Sequence, residues 1–184
     1  MIGICLSQGR SSLLREVANI CEEQQITRVE LLDIISTVLI SRGPVALITA
    51  LEAGILSDKQ DGNKLPFVNN DTKMTGVDIL CYFRKNMGSV PDWIRLLDET
   101  IPRGVELYYN WRNKILTDGT LSRKIKELTL FAVNAVSLYR EGMKIHAMGF
   151  IQAGGSRKEL FIGLLIAFIG GGIVAWIEGI GVMV

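Results

Sequence analysis

The chain of 184 residues contains a single histidine, His146, nineteen positions after Glu127. Imidazole titrates nearest to neutrality of all side chains, and a neighbouring carboxylate fixes its tautomer and favours its protonated form. Such a pair suits general acid–base work near neutral pH. On one unbroken helix the two residues would stand about 28 Å apart and could not act together. Between them lies NAVSLY, in which Asn134 or Ser137 can cap a new helix. A break there makes an antiparallel helical hairpin with its midpoint between Val136 and Ser137, which sets Glu127 level with His146. The plain structural reading stands beside this one. A lone histidine can fill a helix face, and Glu127, within KIKEL, can be a solvated charge.

The elements that must position this pair are helical. SSLLREVANICEEQ places Leu13, Leu14, Val17, Ala18 and Cys21 at spacings of three and four, with Ser11 or Ser12 as its N-cap. GVDILCYFRKN, SVPDWIRLLDETIP (with Pro91 near its first turn) and GVELYYNWRNKIL read as further helices. LSRKIKELTLFAVNAV carries Leu121, Ile125, Leu128 and Ala132 along one face. Residues 57–76, rich in Asn, Asp and Gly, read as a surface loop. No segment alternates with period two. The class expected is all-α, a multi-helix bundle.

One run, LFIGLLIAFIGGGIVAWI from Leu160 to Ile177, holds no charge and follows Arg157 and Lys158. Its length and flanks fit a membrane span. They fit equally a pair of buried helices meeting at Gly170-Gly171-Gly172. An internal repeat favours the second reading. At a constant offset of 129, Arg28 meets Arg157, Glu30 meets Glu159, Leu31 meets Leu160, Gly43 meets Gly172 and Ala46 meets Ala175. The first copy carries Arg42-Gly43-Pro44, a helix stop and restart that a bilayer core would not accept. The repeated unit is therefore helix, tight turn, helix, with each half too short to span. Its apolar circumference exceeds what one small domain covers, so a homo-oligomer interface is expected over it.

Composition narrows the function classes. Lys and Arg number 20 against 19 Asp and Glu, which gives no reason to expect a nucleic-acid partner or attraction to anionic lipid. Cys5, Cys21 and Cys81 are odd in number and far apart, so neither a disulfide framework nor a metal site is suggested. Scattered thiols and an N-terminus without a signal-like run fit a reducing cytoplasm. No cofactor is called for.

The stretch from DGTLSRKIKELTLF to GLLIAFIGGG resembles the core of the carboxymuconolactone decarboxylase family, which includes the alkyl hydroperoxidase D proteins. The likeness rests on DG, the K-x-K-E-L entry, a histidine followed by A…AGGS-x-x-E-L, and the closing Gly-rich turn. With GSVPDWIRLLDETIPRGVELYYNWR it spans roughly residues 88 to 180. The resemblance implies an all-helical fold that assembles as trimers or hexamers, with a small-molecule pocket near subunit contacts. It carries the family's Glu onto Glu127 and its His onto His146. The two redox cysteines of the peroxidase members fall on Tyr139 and Gly142, neither of which can form a thiolate or disulfide. Thiol peroxidase chemistry is thereby set aside, while decarboxylase-type members do without the pair.

In such chemistry His146 delivers a proton to a carbanion or enol carbon, Glu127 or Glu141 orients it, and Tyr139 holds a substrate oxygen, with Arg140 and Arg157 close in sequence. Tyr139 has equally a core role open to it, and Glu141 a solvated one. The first repeat offers no second site, because Val17 stands where the second has His146. The expected organisation is a partial first repeat at 1–57, a polar loop and connecting helix at 58–87, and a family-like core at 88–184, with the repeats packed as one unit. Three function classes result: cofactor-free acid–base catalysis on a small carboxylate or carbonyl compound, a non-catalytic ligand-binding or scaffold oligomer, and a tail-anchored membrane protein. The last is the weakest.

Overall fold

The computed structural model describes residues 1–56 and 73–183, and among these all regular structure is helical. In chain order the helices are α1 (Ile2–Ser7), α2 (Ser11–Glu23), α3 (Arg28–Arg42), α4 (Val45–Glu52), α5 (Gly76–Met87), α6 (Asp92–Thr100), α7 (Gly104–Leu116), α8 (Arg123–Val136), α9 (Arg140–Gln152) and α10 (Arg157–Met183). Most of the expected surface loop at 57–76 lies outside the described residues.

Three helices begin with the same device. The hydroxyls of Thr27, Thr75 and Ser156 each accept from the backbone N–H three residues on, at Glu30, Asp78 and Glu159. The carboxylates of those residues accept in return from the N–H of the cap. Two of the amides that a helix start leaves unpaired are thus satisfied. The serine cap expected for α2 is absent. Ser11 is already helical, and Arg10 holds the cap position without a side-chain bond. There the backbone sets the entry: Gly9 adopts a positive φ and the N–H of Arg10 donates to the carbonyl of Cys5.

The chain folds as two compact units, residues 1–66 with 118–184, and residues 67–117. In the second unit α7 packs against α5 and α6 around Ile79, Phe83, Ile94, Val105 and Tyr109. Phe83, Tyr109, Tyr108 and Trp93 form a chain of edge-to-face ring contacts there, a geometry that the ring quadrupole favours.

The first unit contains two stretches of matching backbone, 129 positions apart. Helices α2 and α9 each have 13 residues, and they begin at 11 and 140. Gly9 and Leu138, Gln25 and Gly154, Gly43 and Gly172 form three matched pairs with positive φ. The bond from Arg10 N–H to Cys5 O recurs from Tyr139 to Asn134, and that from Ile26 to Cys21 recurs from Gly155 to Phe150. At Gly43 (φ 60, ψ −151) and Gly172 (φ 75, ψ −171) the chain enters a backbone region that is essentially restricted to glycine. Helix α10 is accordingly not one straight rod but is broken at Gly172. By length and composition it could cross a membrane, yet a third of its most apolar window (33 %) is buried in the bundle.

Two hydrophobic cores result. One gathers Cys5, Leu6, Leu14, Leu31, Ile35 and Val38 from α1 to α3. The other gathers Phe131, Met143, Phe150, Leu160, Leu164 and Ala167 from α8 to α10. Val133 of α8 inserts into the first and Ile4 of α1 into the second. Ile4 and Val133 are themselves 129 positions apart, so each half lends the same position to the core of the other.

Candidate functional site

Helices α8 and α9 form the hairpin that carries Glu127 and His146. The break falls at Leu138, a non-glycine residue with φ 57, and the N–H of Tyr139 closes the turn on the carbonyl of Asn134 at 3.0 Å. Neither Asn134 nor Ser137 caps α9. Their side chains instead donate to the carbonyls of Leu130 and Val133, each at 2.8 Å. A left-handed residue thus does the work assigned above to a cap. Gly142 allows the hairpin to close, since a Cβ there would lie 2.7 Å from Oδ1 of Asn134. A cysteine at that position would collide with the same atom.

Across the hairpin Nδ1 of His146 stands 2.8 Å from Oε2 of Glu127. With Glu127 ionised, its carboxylate can only accept, which places the proton of this bond on Nδ1. Glu127 is 1 % exposed and His146 8 %, which overturns the reading of Glu127 as a solvated charge. Its second oxygen, Oε1, lies 3.4 Å from Nε of Arg123, one helical turn earlier. The carboxylate rests against Gly149, where a Cβ would come within 2.6 Å of Oε1. Guanidinium, imidazole and bare backbone therefore fix the carboxylate from three sides. Charge-assisted bonds of this kind are the stronger class, and losing one partner of a buried pair is costly.

A second buried pair adjoins the first. Lys126 Nζ lies 2.9 Å from Oδ1 of Asp33 on α3, and Oδ2 of Asp33 accepts from the N–H of Leu121 at 2.9 Å. Nearer the surface Lys124 Nζ meets Oε1 of Glu159 at 2.6 Å, tying α8 to the start of α10. The bond from Lys124, with those from Ser156, holds the Glu159 carboxyl at about 2, well below its usual range.

The other expected site residues lie at the exposed start of α9. Tyr139 is 41 % exposed, which corrects its core reading, and its hydroxyl lies 3.4 Å from Oε2 of Glu141. Glu141 is exposed too, and Glu127, not Glu141, is the carboxylate bonded to His146. Arg140 pairs with Glu178 of α10 at 2.9 Å. Arg157 is exposed at the first turn of α10. Arg123, Gly149, Lys126 and Asp33 did not stand out in the sequence as site residues. The spacing Arg123 to Glu127 is that of neighbours on a helix face, and a glycine inside a helical pattern marks a close approach. Nothing in the sequence could join Asp33 to Lys126, which meet only through the packing of α3 on α8.

No protein-family model, curated protein or solved structure matches the chain.

Proposed function

We propose that this chain is a carboxymuconolactone decarboxylase-like protein in which His146, held by Glu127, carries out cofactor-free proton transfer on a small carboxylate or carbonyl compound. The observation that supports this most is the buried 2.8 Å bond between the two residues that the resemblance pairs. With Nδ1 bound to Glu127, Nε2 is the nitrogen that exchanges protons. In a decarboxylation the substrate C–C bond breaks, carbon dioxide leaves, and its electron pair becomes an enolate. Nε2–H then protonates the carbanion carbon, leaving a neutral imidazole still donating from Nδ1 to Glu127. Water restores the proton. Tyr139 and Arg140 are the candidates for holding substrate oxygens, Arg140 exchanging Glu178 for a substrate carboxylate, and Glu141 orients the Tyr139 hydroxyl.

The test uses small β-keto acids and enol-lactone carboxylates, following carbon dioxide release and uptake of deuterium from D2O. His146→Gln should abolish both, and Glu127→Gln should lower the imidazole pKa by removing its neighbouring charge. Because the chain has one histidine, that pKa is read directly from its ring signals. Turnover by His146→Gln equal to wild type would overturn the proposal.

The Lys126–Asp33 pair favours a second reading. Two buried charge pairs at one end of α8 suit a non-catalytic binding or scaffold protein in which such pairs hold the helices in register. Under that reading both substitutions destabilise the fold, and the wild type turns over none of these compounds.

A further inference from the structure

Proton transfer on an anionic compound calls for a cation beside the imidazole, and the cations near His146 are not equally engaged. On α8, Lys124 and Lys126 each have a carboxylate of their own, Glu159 at 2.6 Å and Asp33 at 2.9 Å. Arg123 has none to itself. Its Nε shares Glu127 at 3.4 Å with the imidazole of His146, which takes the other oxygen at 2.8 Å. A guanidinium carries five N–H donors, and Nε–H is one of them. Among the described residues none accepts from the four on Nη1 and Nη2. The carboxylate that Arg123 touches is 1 % exposed and the Arg123 side chain 42 %, so the Nη edge is the part that meets solvent. Asp118 accepts at 2.6 Å from the backbone N–H of Arg123, not from its side chain.

We infer that Arg123 recognises a carboxylate of the substrate, gripping it through Nη1 and Nη2 while Nε stays on Glu127, a role that rests on the acid–base reading of His146. Two N–H groups along one edge match the two oxygens of a carboxylate and give a two-pronged, charge-assisted contact. Guanidinium and imidazole lean on the two oxygens of one carboxylate, so an anion on the Nη edge is held beside the imidazole. Arg140 is less well placed. It lies about 9 Å from His146 along α9, and its Nε is already paired with Glu178 at 2.9 Å. Arg140 must leave that pair to bind an anion, whereas Arg123 leaves nothing. Glu127 then has two duties. Oε2 holds the acid–base group and Oε1 the binding group, so one buried carboxylate sets the spacing between them. A lysine would serve poorly in place of Arg123, because a single ammonium cannot hold Glu127 and present a planar fork to an anion.

The experiment titrates the full chain with propionate, and with propionamide as its uncharged counterpart, at constant ionic strength. Binding is read from the ring signals of His146, the only histidine. Propionate should move them to saturation and propionamide should not. Arg123→Gln should raise the propionate Kd at least about tenfold, the effect of losing a charged hydrogen bond. Arg123→Lys keeps the charge without the fork and should fall between wild type and Arg123→Gln. Unaltered circular dichroism is expected for both variants, since the side chain is half-exposed. Should Arg123→Gln unfold, Arg123→Lys decides: a Kd above that of wild type supports the inference and an equal one overturns it. It is overturned too by wild-type ring signals that propionate leaves in place, by an equal response to propionamide, or by a propionate Kd that Arg123→Gln leaves unchanged. None of these readings needs turnover. Propionate bound through Arg123 in a chain that turns over no β-keto acid removes only the catalysis. Turnover that Arg123→Gln retains with unchanged KM removes only the recognition.

Discussion

Residues 2–54 and 131–183 follow one backbone plan with different chemistry on it. Their capping boxes, left-handed residues and helix lengths coincide, whereas Val17 stands where the second half has His146 and Ile20 where it has Gly149. The described acid–base pair stands in the α8–α9 half, where α8 carries Glu127 and α9 carries His146. A helical scaffold can therefore be used twice while its charged site is built once. What the site needs beyond the scaffold is an imidazole and a glycine where the carboxylate rests.

The largest effect that can test this asymmetry lies in the Lys126–Asp33 pair, which joins the halves at the same end of α8. Lys126→Met leaves Asp33 buried without a counter-charge and should cost about 3–5 kcal/mol in urea unfolding. Adding Asp33→Asn, which still accepts from Leu121, should recover most of that loss. A single substitution costing no more than a surface change would show that the pair does not clamp the halves.

Next comes the glycine that separates the two halves chemically. Gly149→Ala sets a methyl group against the Glu127 carboxylate and should cost about 1–3 kcal/mol. It should also shift the ring signals of His146 toward those seen in Glu127→Gln. Its counterpart Ile20 is 57 % exposed, and Ile20→Ala should stay within about 0.5 kcal/mol of wild type. Equal costs at the two positions would remove the distinction between them.

Much of the plan was legible in the sequence because it rests on local signals. The spacing of apolar residues marked the helices, the offset of 129 marked the matched turns at Gly43 and Gly172, and the midpoint argument set Glu127 level with His146. What escaped was non-local or set by backbone alone. Asp33 and Lys126 are far apart in the chain, and no local pattern singles out either of them. The turn at Leu138 uses a residue type that ordinarily avoids positive φ, so no sequence signal marked it. Glu141 stood beside Glu127 as a candidate to orient the histidine, because sequence proximity is not proximity across a hairpin.

The matched glycines allow a finer comparison. A Cβ at either Gly43 or Gly172 would meet no atom within 4 Å, so any cost of alanine there is backbone strain alone. Gly43→Ala and Gly172→Ala should each destabilise by about 1–3 kcal/mol, and by similar amounts. A large cost at one and none at the other in denaturant unfolding would show that the two turns are not mechanically equivalent.

The smallest effect concerns the two capping carboxylates, and it separates what the halves share from what they do not. Glu30 is lowered from its usual pKa by its bonds with Thr27. Glu159 has the matching bonds with Ser156 and, first among its causes, the bond from Lys124, which together bring it to about 2. A carboxylate whose folded pKa is depressed stabilises the fold fully above its unfolded value, near 4.5, and loses that contribution as pH falls toward 2. The stability difference between wild type and Glu159→Gln should therefore be constant at neutral pH and vanish across that acid window. In a carboxyl-detected NMR titration, Lys124→Met should raise the midpoint of Glu159, while Ser156 still holds it below the usual range, and should leave Glu30 where it is. If Glu159 did not move, Lys124 would be only a surface neighbour, and the two helix starts would be electrostatically alike.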